Sequence, residues 1–347
     1  MDDSRTPLLP DRMQQVDFFV CDIFDAVPKG DMASMEHPLF SVATQPDRNI
    51  RRYENGRNFI EITPSVKGIA TVHDRDVLIY CISQIMAKIN RKEPVHQRMR
   101  FKAYDMLKAT NRRTDGRAYA TLLDALERLR GTTVTTNIMT GEVEVTSGFG
   151  LIESFELVRK TRDGRMQEVE VKLSDWVFNA ISANEVLTLH RDYFRLRKPL
   201  ERRMYELARK HCGQQTEWRI SLDHLRDKCG STSPLKTFRM IVRRLIKEDE
   251  RFGHMPDYAV SLDDEKDVVT FTNRARAEKA GALFPEVVLD PAAYNDARIV
   301  APGWDPYMLE QEWRNWLHDC DMDPPRNAEK AFVGFCRRWA ERRGSVL

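Results

Sequence analysis

With 347 residues, 41% of them hydrophobic and 31% charged, the chain is long enough for two or three domains, each with its own core. No window approaches the roughly 18 apolar residues of a membrane span, and MDDSRTPLLPDR lacks the basic start and apolar stretch of a signal peptide; a cytoplasmic location and no membrane partner are expected. Six cysteines (Cys21, Cys81, Cys212, Cys229, Cys320, Cys336) are scattered without a C-x-x-C pair, which speaks against a disulfide framework or a zinc site, so no metal or other cofactor is expected.

In chain order, residues 1–37 form an acidic segment whose first dozen residues are expected to lack order. From Pro38 the pattern turns strand-like, and Asn55-Gly56 between alternating runs signals a β-hairpin. Leu78, Cys81, Ile82, Ile85 and Ile89 recur at helical spacing across Asp74–Asn90. A helix-turn-helix pattern follows: Lys102–Ala109, a polar turn over Thr110–Gly116, then Arg117–Arg130, where Ala118, Leu122, Ala125 and Leu129 share a face. Three β segments succeed it, TTVTTNI, Glu142–Val145 and Gly150–Arg159. A helix-turn-helix followed by a β-hairpin is the order of a winged helix.

The same order returns roughly 120 residues later, as an internal repeat would. Arg202–His211 supplies a leading helix and Ser221–Cys229 the first helix of the pair, with a turn over Gly230–Ser233. Ser233 is expected as N-cap with Pro234 at the first helical position, opening the helix Leu235–Asp249; Tyr258–Leu262 and Val268–Asn273 make the second wing. Residues 274–303, with Pro285, Pro291 and Pro302, read as a linker. Residues 304–347 read as a helix pair with stripes at Leu309, Trp313, Trp316 and Leu317, and at Phe332, Phe335, Cys336 and Trp339. The expected architecture is α+β: a first winged-helix domain over 38–190, a second over 191–273, and the C-terminal helical appendage.

Charge is strongly segregated. Between Arg191 and Lys247 there are 16 Lys and Arg against 6 Asp and Glu, an excess of ten in a chain whose net charge is only +2. Such segregation is the footprint of a surface that meets a polyanion, here double-stranded DNA. In Leu235–Asp249, Leu235, Phe238, Ile241, Val242, Leu245 and Ile246 lie on one side, while Lys236, Arg239, Arg243 and Lys247 lie on another, extended by Arg244. This suits a recognition helix. Arg239 and Arg243 are expected to hold guanine O6 and N7, with Ser233, Lys236 and Thr237 on phosphate. The competing reading is a merely solvated cationic face. In the first repeat Arg112 and Arg113 are candidate phosphate ligands, and Arg117, Thr121 and Arg128 are expected to face outward around an unfavourable Asp124. Arg195, Arg197, Lys198, Arg202, Arg203, Arg209 and Lys210 exceed what helix packing needs. Some should pair with Glu201 and Glu206; the others, Arg197, Lys198 and Arg202 among them, are expected along the DNA backbone.

The run VLTLHRDYFRLRKPLERRMYELARKHCG (Val186–Gly213) resembles the most characteristic stretch of the plasmid replication initiators of the RepA type. KGDMASMEHPLFSVAT and GFGLIESFELVRK are similar to its other typical segments, so the resemblance spans about Asp17–Asn273. It implies two related winged-helix domains binding repeated sites (iterons) at a plasmid origin, melting of an adjacent AT-rich element, and recruitment of the host initiator and replicative helicase. It also implies origin-binding monomers alongside homodimers that repress their own promoter, and so a role in plasmid copy control in a bacterial cytoplasm. Asp124 puts equal DNA reading by both domains in doubt.

Catalysis is not expected. No G-x-x-x-x-G-K-[ST] phosphate loop occurs. Rolling-circle nicking needs an H-x-H pair with a nucleophilic tyrosine, and none of the eight histidines forms one. Tyr193 near His190 reads as a packing tyrosine, and Asp263-Asp264 and Asp321/Asp323 as turn residues. Two other functions compete with initiation: a winged-helix transcriptional regulator or autorepressor, and an adaptor dimerising through Asp74–Asn90. A monomeric initiator should prefer directly repeated sites, a dimeric regulator inverted half-sites.

Overall fold

The computed structural model describes residues 7–12, 21–22, 38–55, 58–137, 139–140, 143–144, 146–159, 166–182, 187–213, 215–277, 289–302, 304–319, 325 and 327–343. The expected disorder of the first dozen residues does not hold for 7–12: Leu8 bridges Leu196, the Leu9 amide donates to the Arg195 carbonyl at 2.9 Å and the Arg12 amide to Asn111 Oδ1 at 2.6 Å; residues 1–6 and the Asp321/Asp323 pair lie outside the described residues. After β1 (Cys21–Asp22) comes the anticipated hairpin, β2 (Arg51–Asn55) against β3 (Asn58–Thr63), with Asn55 opposite Asn58. Helix α1 (Arg75–Asn90) then leads to β4 (Arg98–Lys102), α2 (Ala103–Ala109) and α3 (Gly116–Gly131). The Asp115 carboxylate caps α3 by accepting from the Ala118 amide, and Leu122, Ala125, Leu126 and Leu129 bury one face at helical spacing.

Beyond α3 the chain departs from expectation. Of the expected wing strand Glu142–Val145 only Val143–Glu144 lie within the described residues, and β5 (Thr133–Thr136) does not pair with them; it pairs with β3 and with β8 (Ser147–Gly150), placing buried Val134 opposite buried Ile62. The intervening β6 (Met139–Thr140) and β7 (Val143–Glu144) pair with each other and, among the described residues, with no other strand. The hairpin that follows is β9 (Ile152–Arg159) with β10 (Met166–Leu173), and β10 also pairs with β4. Helix α4 (Asp175–Ser182) and β11 (Leu187–Thr188), the partner of β1, close this part.

The second repeat runs α5 (Pro199–His211), β12 (Glu217–Ser221), α6 (Leu222–Cys229), α7 (Leu235–Phe252), β13 (Tyr258–Asp263) and β14 (Val268–Asn273). Its sheet has the order β12-β14-β13, and the first repeat's has β4-β10-β9: in both, the strand before the helix pair bonds to the last strand. Helix α7 starts with Pro234 as N-cap and no side-chain cap, so Ser233 does not serve as one; its amide instead bonds the Ser231 hydroxyl at 3.4 Å. The helix also runs three residues past the expected end, to Gly253 in the left-handed region (φ 56°).

The remaining residues are more helical than a linker and a pair. Helices α8 (Arg274–Ala277) and α9 (Pro291–Val300) lie in the stretch expected to be a linker. Helix α9 packs with α10 (Pro306–Asp319) and α11 (Ala328–Arg343) around Leu309, Trp313, Phe332 and Cys336. The module docks on β12 through α10, and the Asp305 carboxylate accepts from the Ser221 amide at 3.2 Å, which covers a sheet edge.

Candidate nucleic-acid interface

Helix α7 is amphipathic because its apolar residues recur every three or four positions. Phe238, Val242, Leu245 and Ile246 are buried, and Leu235 and Ile241 pack against the same core. That fixes the opposite side: Lys236, Thr237, Met240, Arg243, Arg244 and Lys247 are exposed in one stripe. Lys236 and Lys247 have no ion-pair partner among the described residues. Arg244 lies 3.2 Å from Glu248 one turn on, with its side chain 76% exposed. Met240, at 62% exposure, sits in the middle of the cations. The sequence reading missed it, although it completes the 236-240-243-247 spacing; a lone apolar side chain there suits contact with a thymine methyl.

The turn joining β13 to β14 lies beside this helix. It carries Asp263, Asp264, Glu265 and Asp267 against the single Lys266. Asp264 pairs with Arg243 at 2.9 Å and Asp267 pairs with Arg239. Both arginines are therefore held at one edge by a carboxylate, and Arg239 is only half-exposed.

The cations before α7 are largely turned inward, which corrects their expected role. Arg202 is 3% exposed; its guanidinium donates to Asp76 at 2.7 Å and to the carbonyls of Leu196 and Phe194, and lies over the Tyr193 ring. Each of its three nitrogens has a partner and the side chain is buried, so it is withdrawn from phosphate. Arg203 pairs with Glu206 at 3.2 Å, and Arg75 of α1 reaches the same carboxylate at 2.6 Å. The two leading helices, α1 and α5, are thus joined by buried ion pairs running in both directions, Arg75 to Glu206 and Arg202 to Asp76. Lys198 is drawn between Glu201, at 3.1 Å, and Glu248. Glu201, Glu248 and His254 bring ligand atoms within 4.8 Å of one another, and the Lys198 ammonium pairs with both carboxylates. Burial alone would raise the Glu201 carboxyl; its bonds to His254 and Lys198 outweigh that and hold it below the usual range. Among these candidates Arg197 stays exposed without an ion-pair partner among the described residues.

The first repeat is mixed. Arg112 turns inward to Asp76 at 2.9 Å and to the His73 carbonyl, its side chain 17% exposed, so it too is withdrawn from phosphate. Arg128, expected to face outward, forms a two-bond pair with Asp74 at 2.7 and 2.8 Å. Arg113 is 74% exposed, 3.9 Å from Asp115, and Arg117 is exposed at the first turn of α3. Asp124 is engaged by Lys67, which also pairs with Glu127.

No helix is long and apolar enough to cross a membrane among the described residues. Tyr193 is fully buried, donates to Glu206 at 2.6 Å, and is raised well above the ordinary phenol value by burial and by that carboxylate, which is the wrong setting for a nucleophile.

Residues 29–260 match the replication initiator protein A family. A protein of Wigglesworthia glossinidia brevipalpis, named as a replication protein, is 37% identical over 263 residues, 74% of this chain and 94% of that protein. The crystal structure of domains 2 and 3 of RctB superimposes with a TM-score of 0.51 at 16% identity, over 70% of this chain and 96% of that one. A second crystal structure of those domains gives 0.46 at 16% identity, over 68% and 97%.

Proposed function

This chain belongs to the replication initiator protein A family, and we propose that it starts plasmid replication by binding repeated double-stranded sites at the origin. In this reading the two repeats are tandem winged helices, α7 enters a major groove, and bound protein recruits the host initiator and replicative helicase. The protein contributes binding and no bond chemistry of its own. One observation carries the reading: the outward side of α7 presents Lys236, Arg243, Arg244 and Lys247 with Thr237 and Met240 between them, a helix face that combines phosphate attraction with base-edge contact. Arg197, Arg113 and Arg117 are the remaining candidates for phosphate. Arg202 acts instead as a tie from the second repeat to Asp76 of the first, Arg112 braces Asp76 within the first repeat, and Lys198 ties α5 to α7 within the second.

Footprinting the full chain on the DNA flanking its own gene tests this. Protection of directly repeated sites, one protein per repeat, is expected. Protection of inverted half-sites by a dimer would favour a regulator, and no duplex affinity at moderate salt would remove the DNA-binding reading altogether.

A further inference from the structure

A wing that grips DNA backbone should carry cations, yet the β13–β14 turn carries four carboxylates and one lysine, and that lysine lies 3.9 Å from Asp263. We propose that this acidic turn sets the specificity of α7: Asp264 and Asp267 fix the guanidiniums of Arg243 and Arg239 for guanine edges and weaken the grip on phosphates of any sequence. The inference rests on the DNA-binding reading above and adds the residues that make it selective.

The geometry is that of a built support. Asp263 accepts from the amides of Glu265 and Lys266, each at 3.1 Å, which closes the turn on itself. The Asp267 carbonyl accepts from the Leu222 amide at 2.8 Å, tying the turn to the start of α6. Asp267 holds the left-handed conformation (φ 55°), which aspartate and asparagine tolerate better than most residues. From this anchored turn, Asp264 Oδ1 takes both Nε and Nη2 of Arg243, at 3.1 and 2.9 Å, leaving Nη1 without a partner among the described residues. Asp267 takes Nη2 of Arg239.

An arginine gripped along one edge has already given up rotamer freedom before it meets a base, so a two-bond contact to guanine O6 and N7 costs less ordering. The same carboxylates repel phosphate oxygens and so lower affinity for every sequence alike. Specificity is a difference of affinities: the positioning enlarges it, whereas the repulsion, common to all sequences, lowers affinity and leaves the difference unchanged.

The test uses the full chain with Asp264→Asn, Asp267→Asn and the double substitution, each titrated on a footprinted duplex and on a scrambled duplex of equal length across a salt series. Asparagine keeps the shape and the left-handed tolerance of the turn while removing the charge. In the double variant the scrambled duplex should bind more tightly, the footprinted one no more tightly, and the ratio between them should fall by about tenfold. Arg243→Lys, which keeps the charge but loses the fork, should lower the same ratio. Equal gains on both duplexes would leave only repulsion and overturn the positioning role. Unchanged binding to both would place the turn away from DNA and overturn the proposal entire. Loss on both with a lower unfolding midpoint would make the acids structural and would also overturn it. Should the unsubstituted chain bind no duplex, the DNA-binding reading itself fails, an outcome separate from these.

Discussion

Helices α5 and α7 are both rich in arginine and lysine, and the fold treats them in opposite ways. In α5, Arg202 and Arg203 are buried at 3% and 4% exposure and matched to Asp76, Glu206 and backbone carbonyls. In α7, the cations opposite the buried stripe stay at the surface, two of them without an ion-pair partner among the described residues. A count of charge along the chain cannot separate the two cases. Burial and the partners already engaged separate them, since a guanidinium enclosed in the core and bonded at each nitrogen is out of reach of a phosphate, whereas an exposed ammonium beside a polyanion releases counterions.

The largest effect should come from breaking the buried side of this contrast. Arg202→Ala leaves the Asp76 carboxylate short of a partner inside the joint between α1 and α5 and should cost about 3–5 kcal/mol of stability, read as a drop in denaturant midpoint. A change under about 0.5 kcal/mol, typical of surface sites, would mean that Arg202 is not structural. Gly230→Ala should be the next largest. Gly230 has φ 66° and an added Cβ would lie 2.3 Å from Cγ of Pro38, where the first repeat meets the α6–α7 turn. A loss of about 1–3 kcal/mol is expected, and an unaltered midpoint would show that this contact is loose.

The same joint should respond to pH. Burial, with the Arg202 and Arg112 guanidiniums, holds His73 well below the ordinary imidazole value. Because the folded-state value is depressed, the unfolded chain takes up the proton first as pH falls through about 6.5, so stability is full above that pH and declines below it. The denaturant midpoint should be lower at pH 5 than at pH 7.5, and His73→Gln should narrow the gap; an equal gap in the variant would exonerate His73. The smallest effect is expected from the first repeat. Arg113→Ala with Arg117→Ala should leave stability alone and flatten the salt slope of duplex binding by less than Lys236 and Lys247 do, because among the described residues of the two repeats α7 carries the fuller cationic face.

Much of this was legible from periodicity and turn chemistry. The stripe of α7, the faces of α1 and α3, the hairpin at Asn55-Gly56 and the repeated order of elements all follow from local spacing. Strands β4 and β10 were not, because their outward positions are charged and paired across strands. Arg98 meets Glu170 at 2.5 Å and Arg100 meets Glu168 at 2.6 Å, and partners some seventy residues apart leave no local trace. Helix α9 was legible but passed over: Asp290 before Pro291 is a cap followed by a first-turn proline, and the Asp290 side chain does accept from the Ala292 amide. The misassigned arginines share the same cause as the strands. Asp76, which pairs with Arg202 and Arg112, lies far from both in sequence.

The most direct test is the salt dependence of duplex binding by the chain with Lys236→Ala and Lys247→Ala together. The slope of log affinity against log salt should flatten by about 2, with weakening alike on all sequences and an unfolding midpoint equal to that of the unsubstituted protein. An unchanged slope would place the DNA, if any, on another face of the molecule.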